Sequence, residues 1–512
     1  MKRIFILIIY FLFLNTSCVF SQETQNYKND LKTLFLNNQA VIYEINLRTF
    51  NSNDINHNDI IDFDDENERK GTFLNAISRL DELKQFNINT LHILPITKTG
   101  KIKSLGTAGS LYALSSFSEL NPQLSYSSDN ETIKKEAKKF IEECHKRNIR
   151  VIIDLPSCGA YDYFLTNPNL FAKNQNLQSI TPLDWVDVRL FKTKDDSGKL
   201  FDDLYKEHIK FINLMLELNV DGIRADVATI KPYLFWKNLI DYTKSKDSEF
   251  LFLAETSDSW NKPISDYAPF TNYFNLLKAG FDGYYGSFFN LKSFKNVSQF
   301  EKLVSFNNKL FKKFNNQKSV IGCFSTHDEL SPILIGGKNF SILTMWLNAT
   351  LNINPYFVDG IYGGDNYIYK FSNKKLNYTF TDNDIAYVHE GKLDIFNFSR
   401  KPKNDDIDLI NMFKKALDFR INNQEIINNG QFSILKTSNK NVFAYEIQYN
   451  KQKIIVIFNN NYDKCFNNVF VYVNYNNPLK QVTALSNNTI FSKNKIITDL
   501  QNAEIQVYSE NL

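Results

Sequence analysis

Gly222-Ile223-Arg224-Ala225-Asp226 is a short, mostly apolar run that ends on a carboxylate, and the same form recurs on either side of it. Val151-Ile152-Ile153 runs into Asp154, and Phe250-Leu251-Phe252-Leu253-Ala254 runs into Glu255. Helix-period segments lead into two of these runs: Ile133, Ala137, Phe140, Ile141 and Cys144 before Val151, and Phe211, Leu214, Met215 and Leu218 before Gly222. Short apolar strands alternating with amphipathic helices predict a parallel sheet with crossover helices. Upstream, residues 41–45 read as a first strand and residues 90–94 as a second, closed by Pro95. Between them residues 73–86 read as a helix with Leu74, Ile77, Leu80 and Leu83 at three-residue steps on one face.

A single carboxylate after an apolar strand is ordinarily a helix N-cap, which is the plain reading of Asp154 alone. Glu255 could likewise be a helix N-terminal charge, and Arg224 with Asp226 a structural ion pair. Three strands in succession ending this way fit a (β/α)8 barrel, where catalytic groups converge at the C-terminal ends of the strands. The expected fold is therefore α/β, with the barrel over residues 38–428. Residues 158–204 show no clear helical period and carry Pro168, Pro182 and Trp185, so they read as a long excursion after the third strand. From residue 429 the pattern becomes strand-like runs at 442–447, 453–458, 469–473 and 505–508 between Asn-rich turns, predicting a C-terminal all-β sandwich over 429–512.

The 512 residues and 43% apolar content suffice for a barrel and a smaller domain. Lys and Arg total 59 against 56 Asp and Glu, so the net charge of +3 provides no broad basic field for nucleic acid. A neutral ligand is expected. At the N-terminus Lys2 and Arg3 precede the apolar run 4–14, and Val19-Phe20-Ser21 offers a cleavage pattern, so residues 1–21 read as a signal peptide and the chain as secreted. The run is well short of the roughly 20 residues a spanning helix needs. Thr16-Ser17-Cys18 resembles the end of a lipoprotein signal, with Asn15 where an aliphatic residue is expected, so membrane attachment would require a lipid on Cys18. Cys144, Cys158, Cys323 and Cys465 have no metal-ligand spacing, and the six histidines form no i, i+4 pair, so zinc is not expected.

Four motifs occur in the order of one known family. They are Val41-Ile42-Tyr43-Glu44-Ile45-Asn46-Leu47-Arg48-Thr49-Phe50, Gly222-Ile223-Arg224-Ala225-Asp226, Phe252-Leu253-Ala254-Glu255 and His327-Asp328. Gly109-Ser110-Leu111-Tyr112 with Asn121-Pro122, and the stretch from His145 to Asp154, add to the match. In this the chain resembles the α-amylase superfamily of retaining, α-glucan-active enzymes. The resemblance implies that Asp226 is the nucleophile and Glu255 the general acid and base. It further implies that Asp328 binds sugar hydroxyls with His327 beside it, and that Tyr112 stacks on that sugar, with Arg224 and Asp154 completing the substrate-binding set. Arg224, two residues before Asp226 and so on the same side of the strand, is expected to keep that carboxylate ionised. The apolar stretch behind Glu255 is expected to raise its pKa. Trp185 and Trp260 are either platforms for neighbouring sugars or ordinary packing.

The departures are specific. The family places an Asn and a His after its third-strand Asp, where this chain has Cys158 and Gly159; that Asn is usually a calcium ligand, so calcium is in doubt. Ile230 stands where many members carry a His, and Thr326 where an Asn is common. The expected activity is hydrolysis of α-1,4-linked glucans or maltooligosaccharides. The alternatives are a transglycosylase of the same family and a barrel that binds sugar or a protein partner without turnover.

Overall fold

The computed structural model describes residues 27–366 and 406–510, apart from residues 57, 59, 106–107, 184, 196, 476–477 and 484–487. Residues 1–21, read above as a signal peptide, and Cys18 lie outside the described residues.

Eight parallel strands close into a barrel. They are β1 (Ile42–Ile45), β2 (Thr90–Ile93), β3 (Arg150–Leu155), β4 (Gly222–Ala225), β5 (Leu251–Ala254), β6 (Gly283–Tyr284), β7 (Ser319–Gly322) and β8 (Asn354–Val358). Each pairs with its neighbour in sequence, and β1 closes the ring against β8 with Ile42 opposite Tyr356. β4 and β5 are buried along their whole length, as strands covered on both faces must be, which is why they read as near-continuous apolar runs. Gly222 begins β4 because a Cβ there would stand 2.7 Å from Leu251 Cβ and 2.8 Å from the Leu251 carbonyl oxygen. The ring's seam is clamped by Arg420, whose buried guanidinium donates to the carbonyls of Asn38, Asn348, Leu351 and Ile353.

The helix expected over 73–86 is broken. It runs as α-helix Phe73–Ala76, a 3-10 turn Ile77–Arg79 and α-helix Leu80–Gln85. Its buried apolar face is Phe73, Ala76, Leu80 and Leu83, while Leu74 is 42% exposed. Strict three-residue steps drift around a 3.6-residue helix, so Leu74 rotates out of the face assigned to it.

The excursion after β3 is irregular but not without structure. Gly159–Ala160 and Val188–Arg189 pair as a two-stranded ribbon, a short helix spans Tyr161–Thr166, and the crossover helix begins at Asp202. The C-terminal part is two antiparallel sheets. One, of five strands, includes Val442–Tyr449, Gln452–Asn459 and Ile505–Glu510; the other, of four, includes Phe466–Tyr472 and Lys495–Leu500. Phe443, Ile447 and Val456 of the first sheet join the barrel's own core, so the two parts pack together. Among the described residues no helix is long and apolar enough to cross a membrane.

Candidate active site

Parallel register sets the site. Asp154 of β3 lies opposite Arg224 of β4, which lies opposite Leu253 of β5, so the residues just beyond reach the same rim. Arg224 is fully buried and organises three carboxylates. Its Nη1 donates to Asp154 Oδ1 at 3.0 Å and Asp226 Oδ1 at 3.2 Å, its Nη2 lies 3.0 Å from Glu255 Oε2, and its Nε donates to the Tyr285 hydroxyl at 2.9 Å. The pairing with Asp226 follows the sequence expectation; the grip on Asp154 and Glu255 exceeds it. None of these carboxylates caps a helix: Asp154 lies inside β3, and no helix begins after Glu255 until Tyr273.

Asp154 and Glu255 are in opposite electrostatic states. Asp154 has no exposure, and although burial opposes ionisation, Arg224 and His92 hold it down to about 2. Glu255 is pushed up to about 8 by burial, with the like charges of Asp226 and Asp328 adding to it and Arg224 opposing. At neutral pH Glu255 therefore carries a proton. Asp226 is held at its other oxygen by Ser157, whose hydroxyl and backbone N–H reach Oδ2 at 2.6 and 3.0 Å. One carboxyl poised to give a proton beside one fully hydrogen-bonded carboxylate is the division of labour that glycosidic bond cleavage requires.

Asp328 and His327 follow β7. His327 Nδ1 lies 2.6 Å from buried Glu44 Oε1, and its Nε2 lies 3.0 Å from the Tyr112 hydroxyl and 3.4 Å from Asp328 Oδ1. Burial lowers the His327 pKa, but Asp328 and Glu44 outweigh it and raise the group to about 9, so it is a cation at neutral pH. Asp328 is raised by desolvation in the cleft, against His327 and Arg224, although its side chain keeps 44% exposure. Tyr112 joins through its hydroxyl, which donates to Asp154 Oδ2, and its ring stacks on His327 at 5.5 Å and 12°.

All seven residues singled out in the sequence thus meet in one cluster. Trp185 and Trp260 pack part-buried against the barrel core. Five participants were missed, among them Tyr285, which directly follows β6. Glu44 and His92 lie inside β1 and β2, where they looked like strand interior; Ser157 and Lys231 lie in turns. Glu44 carried a signal, since it sits within the quoted first-strand motif, and its register partner is His92.

The residues that stand where the family carries its calcium ligand, already a reason for doubt in the sequence, do not suit that ion. Calcium requires hard oxygen ligands, whereas Cys158 offers a buried thiol pushed up to about 12 and Gly159 no side chain. The buried ammonium of Lys231 already places a cation beside Cys158 and Asp226. Cys144, Cys158, Cys323 and Cys465 are all free thiols.

An eight-stranded parallel barrel with a carboxylate cluster around one arginine at the strands' C-terminal rim defines the class of barrel glycoside hydrolases. No family model matches the chain. Alpha-amylase 3 of Dictyoglomus thermophilum is 24% identical over 504 residues, covering 90% of this chain and 91% of that protein. The α-1,4-glucan:maltose-1-phosphate maltosyltransferase of Picrophilus torridus is 24% identical over 418 residues, 76% of this chain and 58% of the transferase. Among solved structures, a maltogenic α-amylase of Thermotoga neapolitana superposes with a TM-score of 0.64 at 19% identity, over 93% of this chain and 99% of that one. Over most of its length the chain is thus similar to members of the α-amylase superfamily, and its eight-stranded barrel fits that superfamily's fold.

Proposed function

We propose that the protein is a retaining α-glycoside hydrolase that cleaves α-1,4-linked glucans or maltooligosaccharides. The observation that carries this reading is the shared grip of Arg224 on Asp226 and Glu255, with burial keeping the proton on Glu255. Retention calls for two carboxyl groups about 5 Å apart, and two carboxylates on one guanidinium fork are consistent with that spacing.

Asp226 attacks the anomeric carbon while Glu255 protonates the departing glycosidic oxygen. Glu255, now a base, takes a proton from water, which cleaves the glycosyl ester and frees Asp226. Asp328 and cationic His327 line the same cleft, where they would bind sugar hydroxyls whose contacts strengthen at the transition state. A sugar hydroxyl in place of water gives transfer, the reaction named for the Picrophilus torridus relative. Export by an N-terminal signal, with or without a lipid on Cys18, belongs to the same proposal.

The test is reducing-sugar release from maltooligosaccharides by the parent chain and by Asp226→Asn, with products separated by chromatography. Shorter maltooligosaccharides from the parent and none from the variant support hydrolysis, and products longer than the substrate mark transfer. Inactivity of the parent on every α-glucan overturns the enzyme reading in favour of a binding barrel.

A further inference from the structure

Asp226 Oδ2 accepts two hydrogen bonds from one residue, the Ser157 hydroxyl at 2.6 Å and the Ser157 N–H at 3.0 Å. Ser157 is itself anchored. Lys231 Nζ donates to the Ser157 carbonyl oxygen at 3.0 Å and lies 5.7 Å from the centre of the Trp236 ring. The lysine's backbone is fixed in turn, because the Thr271 hydroxyl donates to the Lys231 carbonyl at 2.8 Å and the Thr271 N–H to the Thr229 carbonyl at 2.8 Å. Trp236 closes the arrangement by donating its ring N–H to the Ala228 carbonyl at 2.8 Å.

Lys231 is only 1% exposed, and among the described residues no carboxylate pairs directly with it. A buried ammonium without an ion-pair partner is expensive unless its surroundings compensate. The groups facing it are the Ser157 carbonyl, the Trp236 face, the Cys158 thiol, Asp226 and, from the crossover helix, the neutral His208 ring. Burial lowers the ammonium to about 8, with Cys158 and Asp226 working against that fall. The cation thus sits between the two segments that frame the nucleophile, the turn after β3 and the turn after β4.

We propose that Ser157 and Lys231 are positioning residues for Asp226: Lys231 locks the Ser157 peptide, and Ser157 fixes the rotation of the carboxylate by holding Oδ2 while Arg224 holds Oδ1. This rests on the reading of Asp226 as the nucleophile. Ser157 precedes Cys158 and Lys231 follows Ile230, so the pair flanks two positions where this chain departs from the superfamily pattern and orients its nucleophile with a hydroxyl and an internal ammonium. The two donors on Oδ2 also favour the carboxylate as it re-forms when the glycosyl ester is cleaved.

The test compares Ser157→Ala, Ser157→Thr, Lys231→Met, Ser157→Ala with Lys231→Met, and Asp226→Asn, for kcat and KM on maltooligosaccharides and for melting temperature. Ser157→Ala should lower kcat about 10- to 100-fold with KM nearly unchanged, and Ser157→Thr should recover part of the loss. Because Lys231 acts through Ser157, the double variant should lose no more than the worse single one. A kcat for Ser157→Ala within about twofold of the parent, or independent losses multiplying in the double variant, overturns the proposal. If Lys231→Met does not fold, the two Ser157 variants decide alone. Asp226→Asn separates the failures: a dead Asp226→Asn with a normal Ser157→Ala defeats only the positioning role, whereas an active Asp226→Asn defeats the nucleophile assignment.

Discussion

Val227 donates its backbone N–H to Glu255 Oε2 at 2.6 Å, so the residue that follows Asp226 in the chain is bonded to the group that carries the proton. Val227 does so from a left-handed backbone conformation, φ 34° and ψ 55°. For a β-branched residue this conformation is strained by about 1–3 kcal/mol and persists only when its surroundings enforce it. Here Ala228 N–H on the Glu255 carbonyl and Trp236 on the Ala228 carbonyl supply that enforcement. Asp226 and Glu255 are therefore fixed relative to each other through one peptide.

The first consequence concerns pH. In the proposed mechanism Glu255 acts in its protonated form, and with its carboxyl pushed up to about 8, kcat/KM should be sustained through neutrality and fall as pH rises through about 8. Glu255→Gln should lower kcat on maltooligosaccharides about 10²- to 10⁴-fold and remove that basic limb. A pH-rate profile of both proteins checks this.

Arg224 should not tolerate replacement by lysine. A compact ammonium cannot reproduce the fork that holds Asp154, Asp226 and Glu255 together. Arg224→Lys is expected to lose about 10²-fold or more in kcat. Arg224→Ala, which leaves buried carboxylates unpaired, should lose about 3–5 kcal/mol of stability, measurable by denaturant unfolding.

Asp328 separates function from stability. Its side chain is 44% exposed, so Asp328→Asn should move unfolding free energy by only about 0.5 kcal/mol. If it binds sugar hydroxyls at the transition state, kcat should still fall about 10²- to 10³-fold. Paired melting and kinetic measurements decide between the two roles.

His327 links pH to stability. Its folded pKa of about 9 lies above the ordinary 6.5, so its contribution is fully present below pH 6.5 and is lost as pH rises through about 9. His327→Gln should therefore show a smaller decline in melting temperature between pH 6.5 and 9 than the parent. Taking the difference between the two proteins isolates this group from Glu255 and Lys231, which titrate in the same interval.

The parts legible in the sequence were those written locally. β3, β4 and β5 each run into a carboxylate, and that repetition disclosed both the barrel and Asp154, Asp226 and Glu255. Local pattern failed where the structure depends on fine rotation, as at Leu74, or on contacts made across the ring. Ser157 meets Asp226 across 69 positions of sequence and Lys231 meets Ser157 across 74, and neither turn has a period or composition that marks it. Arg420, which clamps the barrel seam, is legible only once the carbonyls around it are known.

The most direct measurement of the central claim is peptide mass mapping after treatment with a fluorinated α-glucosyl fluoride, a substrate that forms the glycosyl ester faster than it is hydrolysed. The account predicts one covalent hexosyl adduct on the peptide that contains Asp226, absent from Asp226→Asn. An adduct on a different carboxylate, or sustained glucan cleavage with no adduct at all, would contradict it.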